Sequence, residues 1–139
     1  MSIRSTSALT LSALFALITT AAQAQPVVAQ GGVLTDAAGR TLYTFDKDQP
    51  GKSNCQGGCA QNWPAYVAEP ATGAKLPSQA SRFEHDGMQQ WAWNGSPLYY
   101  FAGDTKPGDK MGDGKGGVWH VVKPAAGAPS GSTTMPSSY

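Results

Sequence analysis

The sequence contains few charged residues. Of its 139 residues, 14% are Asp, Glu, Lys or Arg, and the formal net charge is only +1, whereas about a quarter of the residues of a soluble domain are usually charged. A protein that binds nucleic acid by neutralising phosphates needs a basic excess, so this class is excluded. The chain also lacks an acidic block, which excludes an acidic solvating tail.

Long apolar segments are also missing. The apolar stretch at 8–18 is too short for a membrane-spanning helix, which takes about 20 residues. It follows Arg4 and precedes Ala22-Gln23-Ala24, a pattern typical of a secretory signal peptide cleaved after Ala24. The first cysteine is Cys55, so we expect no lipid anchor at the cleavage site and no membrane span. The sequence predicts a periplasmic or secreted protein.

Cleavage divides the chain into three parts. Removal of residues 1–24 takes away Arg4 and leaves nine basic and nine acidic residues, so the mature side chains carry no net charge. Residues 124–139, PAAGAPSGSTTMPSSY, have almost nothing to bury and are predicted to be a disordered tail. Residues 25–123 are predicted to fold as one domain.

An internal repeat organises this domain. The segment GRTLYTFDKD and the segment GSPLYYFAGD are 56 residues apart. Seven identities occur in 25 ungapped positions, where chance gives one or two. Because a solenoid needs at least three repeats, we expect a pseudo-symmetric pair. The identical pairs are Gly39/Gly95, Leu42/Leu98, Tyr43/Tyr99, Phe45/Phe101, Asp48/Asp104, Gly58/Gly114 and Trp63/Trp119.

Each repeat is predicted to begin with a β-hairpin. In the first repeat the turn lies at 36–39, where Gly39 can adopt a positive φ. In the second repeat the turn is Asn94-Gly95, the strongest short hairpin signal. The predicted strands are 33–35 and 41–45 in the first repeat and 90–93 and 98–101 in the second, with a further strand at 83–85 and a closing segment at 118–122.

The predicted fold class is therefore mainly β. No long stretch shows the 3.6-residue period of an amphipathic helix, although residues 59–63 can form one helical turn. We expect a small single domain built of two pseudo-symmetric β-hairpin repeats, at about 31–66 and 83–122. The alternation of a strand places Tyr43 and Phe45 on one face, and likewise Tyr99 and Phe101, with Leu42 and Leu98 on the other; core packing is the expected role of these aromatic residues.

The motifs Tyr43-x-Phe45-x-x-Asp48 and Tyr99-x-Phe101-x-x-Asp104 carry a family resemblance. Together with Trp63 and Trp119, they make the chain similar to a family of bacterial secreted repeats, predicted lipoproteins with a Y-x-[FWY]-x-x-D motif. The resemblance extends over about residues 31–122. It implies no activity, because the family is itself of unknown function, and the missing lipidated cysteine sets this chain apart from the lipoprotein label.

Cys55 and Cys59 are predicted to form a disulfide. They are the only cysteines, oxidising compartments favour disulfides, and a separation of four residues in a turn brings the Cα atoms within range. The spacing fits neither a Cys-x-x-Cys redox motif nor haem attachment. A zinc site would need two further ligands nearby.

Asp48 and Asp104 are expected to accept hydrogen bonds from the turns that follow them. Calcium binding by Asp104, Asp109 and Asp113 is the alternative. With Asp109 in position one of an EF-hand loop, Met111 falls in position three and His120 in position twelve, where a bidentate carboxylate belongs. The turn role is therefore favoured.

Two hypotheses remain for function. Trp91 and Trp93 share one face of a strand and could form a binding face for sugar rings or peptides, although core packing of these rings is favoured. Alternatively, His85, Met88, Met111 and His120 carry ligand types that suit copper. No catalytic motif is present, Ser96 included. We therefore expect a non-enzymatic envelope binding or interaction module without a cofactor, with a periplasmic copper-like metal-binding protein as the alternative.

Overall fold

The computed structural model describes residues 26–69 and 76–124. The predicted leader and all of the predicted tail beyond residue 124 lie outside the described residues. The described part is mainly β, with one short α-helix and one turn of 3-10 helix at Lys115–Gly117. The elements in chain order are β1 (Val28–Gln30), β2 (Val33–Thr35), β3 (Tyr43–Phe45), α1 (Gly58–Asn62), β4 (Ala80–His85), β5 (Met88–Trp93), β6 (Ser96–Pro97) and β7 (Trp119–Val121).

Three two-residue turns connect neighbouring antiparallel strands. Both central residues of each turn have positive φ, as a type I′ turn requires, and this requirement explains why Gly, Asp and Asn occupy these positions. The third turn confirms the hairpin signal at Asn94-Gly95. They are Gly31-Gly32 between β1 and β2, Asp86-Gly87 between β4 and β5, and Asn94-Gly95 between β5 and β6.

The hairpin predicted in the first repeat forms only near its turn. Thr35 bridges Thr41, the Asp36 amide donates to the Arg40 carbonyl over 2.9 Å, and the Leu42 amide donates to the Leu34 carbonyl over 3.0 Å. Beyond Leu42, β3 pairs with β7 instead. The two predicted partners are therefore adjacent in space but belong to different ladders for most of their length.

Each repeat ends in a short closing segment that pairs with the other repeat. In the first repeat this segment is 65–67, where Ala65 bridges Tyr99 and Val67 bridges Gln90. In the second repeat it is β7, which is antiparallel to β3. Neither repeat therefore completes its own sheet.

Tyr43 and Tyr99 join the two halves. Each bridges the other in an antiparallel pair, and this pair completes a central sheet in the order 65–67, the strand at Tyr99, β3 and β7. Since Ala65 and Val121 are related by the same 56-residue offset as the tyrosines, a pseudo-two-fold axis passes between Tyr43 and Tyr99.

A separate core covers each face of the central sheet. Leu42 and Leu98 lie in one core, and Tyr43 and Tyr99 lie in the other, as the alternation along the strands predicts. The first core comprises Val27, Leu34, Leu42, Ala68, Trp91, Trp93 and Leu98. The second is aromatic and comprises Tyr43, Cys55, Trp63, Tyr99 and Trp119, with Phe45 and Phe101 packed against it.

Cys55 and Cys59 form the predicted disulfide, with their Cα atoms 5.2 Å apart. The bond ties the loop after β3 to α1, the helical turn expected near residues 59–63. Cys55 is buried in the aromatic core. In the part of the chain that the structure describes, no helix has the length and apolar character needed to cross a membrane.

Candidate functional site

The motif tyrosines lie side by side at the pseudo-two-fold axis. The Tyr43 amide donates to the Tyr99 carbonyl over 2.9 Å, and the Tyr99 amide donates to the Tyr43 carbonyl over 3.0 Å. Both residues are almost fully buried. The two copies of the motif are therefore in direct contact along their backbones.

Each motif tyrosine donates a hydrogen bond to the motif aspartate of the other repeat. Tyr43 Oη lies 2.6 Å from Asp104 Oδ2, and Tyr99 Oη lies 2.6 Å from Asp48 Oδ2. Phenol to carboxylate bonds of this length belong to the strong, charge-assisted class. The tyrosine and the aspartate of one motif thus each bind a side chain of the other repeat.

The second oxygen of each motif carboxylate binds the loop that follows it. Asp48 Oδ1 accepts from the Asn54 amide over 2.7 Å, and Asp104 Oδ1 accepts from the Met111 amide over 2.8 Å. This is the turn role expected for the two aspartates. The sequence did not indicate that the same carboxylates also bind the phenols of the opposite repeat.

Burial changes the acidity of these groups. Burial raises the pKa of Asp48, although the hydrogen bonds from Tyr99 and Asn54 and the field of His85 oppose that shift. Burial, followed by the hydrogen bond to the partner carboxylate, raises the pKa of Tyr43 and Tyr99 well above the usual value for a phenol. Both phenols therefore stay protonated and remain donors throughout the neutral range.

The other motif side chains form a continuous stack of four rings. Trp63 and Trp119 are stacked at its centre with centroids 3.8 Å apart. Phe45 covers Trp119 at 4.2 Å, and Phe101 covers Trp63 at 4.5 Å. Each phenylalanine thus covers the tryptophan of the other repeat. Ring pairs in such contacts add about 0.5–1.5 kcal/mol beyond the area they bury.

A small pocket lies beside the end of the second motif strand. Its volume is about 220 Å³, less than the roughly 300–1,000 Å³ of a pocket for a drug-sized ligand. It combines one cation and one carboxylate with apolar side chains. The lining residues are Arg40, Thr41, Pro64, Tyr100, Phe101, Ala102 and Asp104.

Arg40 is held in a fixed position at this pocket. Its Nε donates to Asp36 Oδ2 over 2.8 Å, and its Nη2 donates to Tyr100 Oη over 2.9 Å. Its Cζ lies 4.0 Å from the centroid of the Tyr100 ring. The Tyr100 hydroxyl in turn donates to the same Asp36 oxygen over 2.8 Å, and burial together with this bond raises the pKa of Tyr100.

Asp36 also binds the backbone beside Arg40. Its Oδ1 accepts from the Ala38 and Arg40 amides, both over 2.9 Å, and the residue is buried. The sequence indicated a turn at 36–39. It did not indicate that Tyr100 of the second repeat contacts this turn. This three-residue network was therefore missed.

The residues related to this pocket by the 56-residue offset have a different composition. With the 56-residue offset, Pro64 corresponds to His120 and Ala102 corresponds to Asp46. These two residues are hydrogen-bonded, with His120 Nε2 2.8 Å from Asp46 Oδ2. Small residues without polar side chains on one side thus replace a hydrogen-bonded pair on the other.

The motifs that build the repeat interface are those of a known family. A family described as a secreted repeat of unknown function matches residues 27–66 and 83–123, one match for each repeat. The chain belongs to this family. No curated protein and no solved structure matches the chain. Within the family motif of this chain, the Tyr, the aromatic residue and the Asp all contact the opposite repeat.

The candidate binding face at Trp91 and Trp93 needs correction. Only 7% of Trp91 and 4% of Trp93 are exposed, because both rings lie in the core on the leucine face of the central sheet. Neither indole is available to a ligand. Core packing, which the sequence favoured for these rings, is the role observed, because an indole has a large apolar surface to bury.

The candidate metal ligands His85, Met88, Met111 and His120 lie on separate elements. His85 and Met88 face each other at the end of the β4–β5 hairpin, and His120 lies on β7 in a different sheet, paired with Asp46. Met111 is 67% exposed. Within residues 26–69 and 76–124, no group of three His, Cys, Asp or Glu residues is placed to hold a metal ion.

The aspartates of the calcium alternative each bind backbone amides. Asp109 Oδ2 accepts from the Thr105 amide over 3.0 Å, and Asp113 Oδ1 accepts from the Val121 amide over 3.1 Å. Asp104 binds Tyr43 and the loop, as described above. Asp104 and Asp109 thus stabilise the loop at 104–111, whereas Asp113 binds β7.

Proposed function

We propose that the chain is an exported, non-enzymatic binding module of the bacterial envelope that holds a small polar ligand in the pocket lined by Arg40, Tyr100 and Asp104. The observation that carries this proposal is the fixed guanidinium of Arg40. Two hydrogen bonds and a ring contact hold it in place at a pocket that also contains a carboxylate. Groups that are ordered before binding lose less entropy when a ligand arrives.

The departure from pseudo-symmetry supports the same site. The repeat interface is built from matched residues in both halves, whereas the pocket has Pro64 and Ala102 where the other half has His120 and Asp46. The shared scaffold does not require these different side chains, since both halves form the corresponding backbone hydrogen bond here. The corresponding amides of Asp46 and Ala102 donate to the carbonyls of Val118 and Asn62, at 2.9 and 2.8 Å.

Export is supported by the residues of the leader and by the family. Residues 1–24 have the charge, the apolar stretch and the small residues of a cleaved signal. The family is described as secreted. We propose cleavage after Ala24 and a periplasmic or secreted location; amino-terminal sequencing of the exported protein tests this, and retention of Met1 would contradict it.

The absence of an enzymatic role is proposed from how the reactive side chains are used. Ser53 is buried and its Oγ lies 2.6 Å from Tyr99 Oη. His120 is paired with Asp46, and His85 lies 3.4 Å from the Asp86 carboxylate. Among the described residues, none of these contacts joins a hydroxyl to an imidazole, as nucleophilic catalysis by a serine requires.

Ligand-observed NMR with a pocket-filling variant tests the binding proposal. Ala102→Trp places a large side chain in the pocket, and Ala60→Trp makes the same change on the exposed side of α1 as a control. The probes are neutral sugars, amino acids and short organic acids. We expect at least one probe to bind the wild type and Ala60→Trp but not Ala102→Trp. Binding by none of the probes, or equal binding by both variants, would overturn the proposal.

A further inference from the structure

The pocket offers hydrogen-bond donors that the protein leaves unused. A guanidinium has five N–H groups, and the described bonds of Arg40 occupy its Nε and one position on Nη2. The outer edge of the group therefore keeps donors. More than half of the Arg40 side chain, 56%, is exposed, so these donors are accessible from the pocket.

Acceptors are present at the same pocket. Each Asp104 oxygen accepts one described hydrogen bond, whereas an ionised carboxylate can accept about four. A ligand that both donates and accepts hydrogen bonds therefore fits better than one that does only one of these.

The charges at the pocket disfavour an ionic ligand. Asp36 already neutralises Arg40 at 2.8 Å, and Asp104 adds a negative charge at the lining. A free anion would meet Asp104 with no uncompensated cation to attract it. An ammonium cation only donates hydrogen bonds, so it would leave the outer N–H groups of Arg40 without an acceptor. A neutral ligand avoids both penalties, because no charge has to leave water.

The remaining lining is apolar and small. Pro64, Ala102, Tyr100 and Phe101 supply carbon surface at the lining, which suits a ligand with both hydroxyl groups and C–H groups. The volume of about 220 Å³ limits the ligand to one ring. A pyranose sugar meets each of these conditions.

We propose that the pocket binds one neutral pyranose unit, with hydroxyl groups shared between Arg40 and Asp104. The proposal rests on the proposed function of the pocket and specifies its ligand class. For a ligand of about a dozen heavy atoms, we expect a dissociation constant on the order of 1 mM.

The test is ligand-observed NMR with four probes. Methyl glucoside and the methyl glycoside of N-acetylglucosamine represent neutral pyranoses, glucuronate is the acidic form of the same ring, and phenylalanine is a zwitterion of similar size. We expect the two glycosides to bind the wild type. Raising the ionic strength to about 1 M, where the screening length is about 3 Å, is expected to leave that binding unchanged.

Two matched substitutions locate the site. Arg40→Lys keeps the charge but loses the planar fork, and we expect it to weaken glycoside binding at least tenfold. Arg82→Lys makes the same change at an arginine on β4, whose Cζ lies 5.4 Å from the centroid of the Trp91 ring. This variant is expected to bind the glycosides as the wild type does. Ala102→Trp is expected to abolish binding.

The outcomes separate the two proposals. If glucuronate or phenylalanine binds in a manner that Ala102→Trp blocks, and the glycosides do not bind, the pocket is a binding site but the sugar class is wrong. If no probe binds, the binding proposal and the sugar proposal both fail. Glycoside binding that survives Ala102→Trp, or that Arg40→Lys and Arg82→Lys weaken equally, would overturn the assignment of the site.

Discussion

At the scale of single residues, two phenols and two carboxylates connect the repeats. The Tyr43–Asp104 and Tyr99–Asp48 bonds, each 2.6 Å long, cross between halves of the molecule in opposite directions. A buried polar group that loses its partner costs about 1–3 kcal/mol. Removing one of these four groups therefore leaves an unsatisfied group on the other repeat.

The Tyr99–Asp48 bond can be measured with a double-mutant cycle. Tyr99→Phe removes the hydroxyl that contacts both Asp48 and Ser53, and we expect the free energy of unfolding to fall by about 1–3 kcal/mol. Asp48→Asn and the double variant complete the cycle. Urea denaturation should give an interaction energy of about 0.5–3 kcal/mol; additive effects would show that the two groups are not coupled.

Gly112 is required because two rings lie against it. A Cβ there would come 2.6 Å from the Trp63 ring and 3.0 Å from the Phe101 ring. Overpacking of this kind typically costs about 1–3 kcal/mol, so we expect Gly112→Ala to lower the midpoint of urea denaturation. Gly58→Ala is the control, because nothing lies within 4 Å of a Cβ at that position; equal effects of the two variants would contradict the explanation.

At the scale of elements, the two repeats hold corresponding loops by different means. After β3, the Cys55–Cys59 disulfide closes the loop. In the second repeat Met111 and Lys115 stand at these positions, and the loop ends in a 3-10 turn at Lys115–Gly117. Since the second loop forms without a covalent bond, we expect the disulfide to stabilise the first loop without defining its course.

Reduction of the disulfide should therefore weaken the protein without unfolding it. A closed loop of about five residues is worth about 2 kcal/mol in the chain-entropy model. We expect the Cys55→Ala/Cys59→Ala variant to lose about that much stability in urea denaturation and to keep its far-ultraviolet circular dichroism. Loss of that circular dichroism signal in the variant would show that the loop depends on the bond.

The elements also show where prediction from the sequence succeeds and fails. The turns at Asp86-Gly87 and Asn94-Gly95 and the disulfide follow from local chemistry, and they were predictable. The pairing of β3 with β7 was not, because two similar repeats offer two similar partners for each closing segment. The burial of Trp91 and Trp93 agrees with the core packing that the sequence favoured. The network that Asp36 forms with Tyr100 was not predictable, because it joins a turn of the first repeat to a strand of the second.

At the scale of the whole molecule, buried phenols couple stability to pH. Burial raises the pKa of Tyr43, Tyr99 and Tyr100, and raises that of Tyr66 to about 12. In the unfolded chain these groups ionise near pH 10. The stability they contribute is therefore complete below about pH 10 and is lost as the pH rises through the pKa values of the folded state.

We accordingly expect alkaline unfolding in one cooperative step. Between about pH 10 and 12, the ionisation of each of the four phenols is expected to lower the free energy of unfolding by up to about 1.4 kcal/mol per pH unit. Phenolate absorbance and circular dichroism should change together. Ionisation of the phenols well before the loss of circular dichroism would contradict their coupling to the fold.

Because the repeats exchange their closing segments, this architecture favours an even number of repeats. The segment 65–67 pairs with the half that contains Tyr99, and β7 pairs with β3 in the other half. Each repeat of this kind therefore needs one partner repeat to complete its sheet. A third copy appended to such a chain would have no reciprocal partner and would expose an unpaired strand edge, the kind of edge through which sheets aggregate. Chains built from this unit should therefore carry even numbers of repeats or complete an odd one with a second molecule.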